Sequence, residues 1–157
     1  MSTSTPRAVP AIFVGGLIAG ALDITYAVTY LAYLGKPPAW TLQSVASGAL
    51  GKAAFDGGTP TALLGLFFQF VISCGAAAVF YLASRAMPAL LRHAVLAGLA
   101  FGVGIYVVMS FVVVPLSAAP FKMTFPLASV VRNLLVHMFL IGLPIALSVR
   151  RFSPPAD

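Results

Sequence analysis

The apolar positions of this chain fall into four long runs. They cover Ala11 to Leu34, about Pro60 to Ala83, about Ala94 to Pro115, and about Val130 to Val149. Each exceeds the roughly 17 residues that a helix needs to cross a bilayer. The first run closes at Gly35-Lys36-Pro37-Pro38, which a helix does not continue through. The pattern predicts an all-α fold, an integral membrane four-helix bundle forming a single transmembrane domain over 1–157.

The segment between the first two runs is more than a linker. Leu42, Val45, Ala46, Ala49, Leu50 and Ala53 follow the spacing of one helical face, with Ser44, Ser47, Gly48, Gly51 and Lys52 opposite. An extra helix is therefore expected over about 40–55. One reading lays it on the membrane surface with Trp40 in the head-group layer. The other makes it re-entrant, which requires burial against protein. The small residues Ala46, Ser47, Gly48, Ala49 and Gly51 permit that close approach. Lys52 and Asp56 are spaced to pair on one face.

Composition agrees with the runs. The 157 residues are 61% hydrophobic and 8% charged, with a mean hydropathy of +1.03. A soluble domain carries roughly 25% charged residues. A net charge of +6 would suggest nucleic acid in a soluble protein. Here the cations stand at the ends of apolar spans, where they set topology and meet anionic lipid. No nucleic-acid partner is expected. Cys74 is the lone cysteine and lies inside a span, so neither a disulfide framework nor a thiolate metal site is available.

Arg7, Arg85, Arg92, Arg150 and Arg151 fall on one side of the four spans, and Lys36, Lys52, Lys122 and Arg132 on the other. With Asp56 on the second side, both termini are read as cytoplasmic. Five cations against four is a thin bias, and dual insertion is the alternative. A signal peptide does not account for the first run. It is too long, holds Asp23, and ends at Lys-Pro-Pro without a small-residue cleavage site.

Polar residues inside the runs carry the candidate chemistry. Asp23 is one of three acids, with Asp56 and Asp157. It lies about 18 Å from the inner end of its span at 1.5 Å per residue. An ionised carboxylate there costs at least a few kcal/mol, so it should be neutralised, paired or wet. From the outer ends, Asp23 is about 16 Å deep, Gln69 about 13 Å and His137 about 10 Å, with Tyr106 near Asp23. Asp23, Tyr26, Tyr30 and Tyr33 share a face of the first helix; Asn133, His137 and Pro144 share a face of the fourth. If these faces meet, they form a polar pocket open to the outside and floored near Asp23. Its expected substrate- or ion-binding residues are Asp23, Tyr26, Gln69, Tyr106, Asn133 and His137. The bland alternative is that they only hydrogen-bond across the bundle, at about 0.6 kcal/mol each. Pro144 frees the Leu140 carbonyl and predicts a kink beside His137. Gly16-x-x-x-Gly20 and Gly98-x-x-x-Gly102 mark close helix contacts.

Other chemistries lack their residues. His93 and His137 sit at different depths, which does not suit bis-histidine haem, and no Cys/His/acid cluster has metal-ligand spacing. No Gly-x-Ser-x-Gly or phosphate-cradling loop occurs. No cofactor is expected, and nothing in the sequence argues for an enzyme.

The stretches Leu42 to Gly58, Val113-Val114-Pro115-Leu116-Ser117 and Gly142-Leu143-Pro144-Ile145-Ala146-Leu147 resemble segments of uncharacterised small bacterial inner-membrane proteins of the YagU type. The resemblance implies four helices and a bacterial inner membrane, and supplies no substrate or catalytic residue. The leading expectation is a transport or permeation protein, carrying a proton, cation or small solute through the pocket at Asp23. Four short helices enclose little space, so a homo-oligomer or larger membrane complex is expected, with membrane lipids as further partners. The alternatives are an accessory or scaffold subunit and a lipid- or small-molecule-binding membrane protein.

Overall fold

The computed structural model describes residues 7–122 and 124–153; Asp157 lies outside them. Four helices are long and apolar enough to cross a membrane: α1 (Ala8–Tyr33), α3 (Gly58–Ala86), α5 (Ala94–Leu116) and α6 (Leu127–Phe152). They match the four predicted runs, most ends reaching two or three residues further. Between α1 and α3 stands α2 (Pro38–Leu50), which continues as a 3-10 turn over Gly51–Phe55. A single turn, α4 (Ala89–Arg92), joins α3 to α5. The described residues contain no strand.

The bundle packs small residues inward and large ones outward. Its core holds Ala11, Ala19, Ala77, Ala94 and Ala146, filled by Phe80, Leu91, Ile145 and Val149. Phe13, Leu17, Phe67, Val79, Leu82, Leu96 and Phe111 are exposed. In water such a surface would drive aggregation; hydrocarbon solvates it as well as a protein core does. Helix contact then depends on backbone approach, and glycine supplies it. A Cβ added to Gly16 would come within 2.6 Å of Cys74 Cα on α3, and one on Gly102 would strike the His137 carbonyl of α6. Both glycine pairs are thus helix seams.

α1 packs against both α3 and α6, and α5 packs against α6. α3 and α5 meet edge-on at Phe80 and Phe101, 5.1 Å apart, toward one end of the bundle. There the Arg7 N–H donates to the Phe152 carbonyl at 3.1 Å and joins the two ends of the described chain. Arg7, Arg85, Arg92, Arg150 and Arg151 are exposed at this arginine end. The opposite, capped end carries α2.

α2 forms where the sequence predicts it but buries a different face. Pro37 is extended and Pro38 opens the helix; Gly51, at φ +60°, ends it. Ala49, Leu50 and Ala53 of the predicted apolar face are exposed, while Thr41, Gln43, Ala46 and Ser47 are buried. The reason is backbone contact: the Leu42 carbonyl lies over Gly65 of α3, where no side chain would fit. The buried polar groups are largely satisfied locally. Gln43 Nε2 donates to the Gly58 carbonyl at 3.1 Å, and the Ser47 hydroxyl donates to the Ser44 carbonyl at 2.7 Å. Lys52 and Asp56 are both exposed.

Each of the last two spans contains a π turn, Met109–Val113 in α5 and His137–Gly142 in α6. Each precedes a proline, Pro115 and Pro144, which has no N–H to donate to the carbonyl four residues back and whose ring would clash with it. The kink predicted at Pro144 therefore takes the form of a widened turn containing Leu140.

Candidate functional site

A cavity of about 470 Å³ occupies the capped half of the bundle. α1 contributes Asp23; α3 contributes Gln69, Ser73 and Ala76; α6 contributes His137 and Ile141. On α5 the lining residues Ile105, Met109 and Val113 recur every fourth position, one face of a helix. Trp40, Ser44 and Gly48 of α2 roof it, with Ser117 and Phe121 from the loop after α5. The roof is held by aromatic contacts: Trp40 lies 5.5 Å from Phe55 and 5.9 Å from Phe121, and Lys36 Nζ sits 5.0 Å from the indole centroid. The Ala118 N–H donates to the Gly48 carbonyl at 2.9 Å and ties the loop to α2.

The cavity is closed below and open at one side. Beneath Ala76 and Ile141, the side chains of Ala77, Phe80 and Ile145 are fully buried, with Phe101 packed on them. At the side, Ile72 of α3 and Val113 of α5 both line the cavity, yet are 42% and 39% exposed. α3 and α5 make little contact with each other here, so these side chains border a gap toward what surrounds the bundle, and Phe121 at the roof is 39% exposed as well.

One hydrogen-bonded group organises the polar wall. Gln69 Nε2 donates to Asp23 Oδ2 at 2.8 Å, and the Ser73 hydroxyl donates to the backbone carbonyl of Gln69, one turn back, at 2.8 Å. Among the described residues Gln69 is the only hydrogen-bond partner of Asp23. His137 Nδ1 lies 2.7 Å from the Asn133 carbonyl, one turn back on α6. A carbonyl only accepts, so Nδ1 is the donor in this contact.

Of the six residues expected at the site, Asp23, Gln69 and His137 line the cavity together. Tyr106 is buried behind His137, its ring edge-on at 5.5 Å, and acts as a backing wall. Asn133 takes part through its carbonyl. Tyr26 leaves the pocket and stacks on Tyr30 at 5.8 Å, while Tyr33 is 87% exposed. The expected tyrosine face is thus split. Tyr30 is engaged by Arg132, whose Nη1 donates to the phenol oxygen and whose guanidinium lies 4.2 Å from the ring centroid. The sequence reading missed Ser73 and the roof. Ser44 and Gly48 belong to a face that looks solvent-exposed, and only Trp40 drew notice, as a head-group anchor.

Among the described residues no three His, Cys, Asp or Glu side chains are grouped to hold a metal ion. Comparison with protein-family models, with curated proteins and with solved structures finds no match. The geometry therefore stands alone: a multi-pass helical bundle with a polar-based, mostly apolar pocket in one half.

Proposed function

We propose that this protein binds a small amphiphilic molecule in the capped half of the bundle, with the polar group at Asp23, Gln69 and His137. The observation that carries this reading is the cavity's shape, sealed toward the arginine end and open sideways between α3 and α5. Its volume suits one small ligand. A molecule dissolved in the bilayer can enter through the gap without crossing water. The five arginines at one end support a cytoplasmic location for both termini, and the resemblance to YagU-type chains supports a bacterial inner membrane. The pocket then lies in the outer leaflet.

Trp40 is the only tryptophan and lines the roof, so its fluorescence reports occupancy. In phosphatidylcholine nanodiscs, terminally brominated twelve-carbon alcohol and ammonium probes are titrated against it. At least one should quench saturably, and the pair Ile72→Phe with Val113→Phe, which narrows the gap, should weaken that binding at least tenfold. Quenching that rises only linearly with every probe would show partition into lipid and end the proposal.

A second reading, transport through the same pocket, draws support from the π turns. Met109, Val113, His137 and Ile141 all belong to such turns and all line the cavity. A return to α-helical pitch would rotate the lining. Passage would also need the core at Phe80 and Ile145 to open, or a path between protomers of an oligomer. Flux into proteoliposomes no greater than into empty ones, across a broad set of ions and pH gradients, would retire it.

A further inference from the structure

Resting on the binding reading above, we infer that the ligand's polar group is a protonated amine: an N–H donor with positive charge, attached to an apolar body. The inference follows from where the pocket's own protons go. Asp23, when ionised, only accepts. Gln69 turns one of its two amide N–H groups to that carboxylate at 2.8 Å, which leaves the second N–H and the side-chain oxygen free. His137 commits Nδ1–H to the Asn133 carbonyl, so in the singly protonated ring Nε2 is an acceptor. The hydroxyls on the lining have spent their protons as well. Ser73 donates to Gln69, Ser44 to the Thr41 carbonyl at 2.6 Å, and Ser117 to the Val114 carbonyl at 2.7 Å.

With Asp23 ionised, the cavity therefore presents mostly acceptors and one negative charge. Among the described lining residues, the second Gln69 N–H and the Trp40 indole N–H are the side-chain donors left to it. An alcohol brings one donor and a carboxylate or phosphate brings none. An ammonium brings up to three, with a charge that compensates Asp23 at a depth where an unpaired carboxylate is costly. The Arg132 guanidinium lies on Tyr30 and the Lys36 ammonium over Trp40, and neither side chain lines the cavity, so His137 is the one basic side chain on its described wall. The remaining wall, Ile72, Ala76, Ile105, Met109, Val113 and Ile141, is apolar and fits an alkyl or aromatic body.

The test compares 12-bromododecylammonium with 12-bromododecanol in the Trp40 assay, in zwitterionic nanodiscs, with concentrations counted per mole of lipid. The bromine lies at the tail, so a head group at Asp23 brings it toward the roof. The ammonium should half-saturate at least tenfold lower than the alcohol. Asp23→Asn, which keeps size but cannot ionise, should erase that preference by weakening the ammonium alone. Equal binding of the two probes to the wild type, or unchanged ammonium binding in Asp23→Asn, would overturn the inference while leaving the pocket reading intact. Saturation by neither probe would overturn both. The wild-type comparison needs no variant, so a misfolded Asp23→Asn would not blunt the test.

Discussion

The two halves of the bundle are built from the same kinds of residue and do different things with them. Toward the arginine end, alanine and glycine bring four helices together and Phe80, Leu91, Ile145 and Val149 fill what is left. In the capped half α3 and α5 part, and Asp23, Gln69 and His137 occupy the space between the helices. Van der Waals contact holds the first half, since lipid offers apolar side chains no hydrophobic gain. The second half keeps polar groups and empty volume, each of which costs stability. The contrast separates a part that holds the fold from a part that holds a cavity.

The contrast breaks most readily at the α5–α6 seam. Gly142→Val would place a side chain against the Gly98 carbonyl and 2.6 Å from the Gly102 nitrogen, with backbone on every side. It should cost more than about 3 kcal/mol and leave little folded protein, scored by size exclusion after extraction. Gly104→Val, where nothing lies within 4 Å, is the control, expected within about 1 kcal/mol of wild type. Equal loss from both would mean that propensity, not contact, is being measured.

Phe80→Ala removes the side chain that closes the cavity from below. The cost should be about 3 kcal/mol, read as a lower thermal midpoint in nanodiscs. The same cut at Ile72 or Val113, already open to the cavity, should cost less than about 1 kcal/mol. A comparable cost at all three would erase the difference between the halves.

Gln69→Leu sharpens the contrast by leaving Asp23 without its donor. About 1–2 kcal/mol should be lost, and Asp23→Leu combined with Gln69→Leu should recover most of it, because two apolar groups replace a pair. The double variant should still lose ammonium binding. Recovery of stability without loss of binding would separate Asp23 from the ligand.

The smallest effect belongs to the roof. Lys36→Gln removes the cation from Trp40 and should cost about 0.5 kcal/mol or less, seen as a small change in Trp40 emission.

Much of this was legible in the sequence. Helix number and placement followed from four runs that only a bilayer explains. The polar triad followed from depth, because Asp23, Gln69 and His137 are polar groups deep inside three of the runs. The split tyrosine face did not, since helical spacing cannot tell which neighbour a large ring will choose; Tyr30 is held by Arg132, distant in sequence. The apolar face of α2 was a poor guide to its buried side, because hydropathy assigns apolar residues to the inside; the small residues Ala46 and Ser47, named for the re-entrant reading, are the ones buried. The side opening was invisible, because an apolar residue facing a cavity looks like one facing lipid.

The π turns bear on how these helices tolerate changes in length. A π turn holds one residue more than the α-helical turn it replaces, so α5 and α6 each carry a surplus residue beside the pocket. Deleting a residue elsewhere in a span rotates everything beyond it by about 100°, exchanging lipid-facing and core-facing sides. A deletion within Met109–Val113 or His137–Gly142 can instead be absorbed by tightening the turn, with both flanks kept in register. The two walls that shape the cavity can be re-cut by one residue at a time while the seams below remain in place.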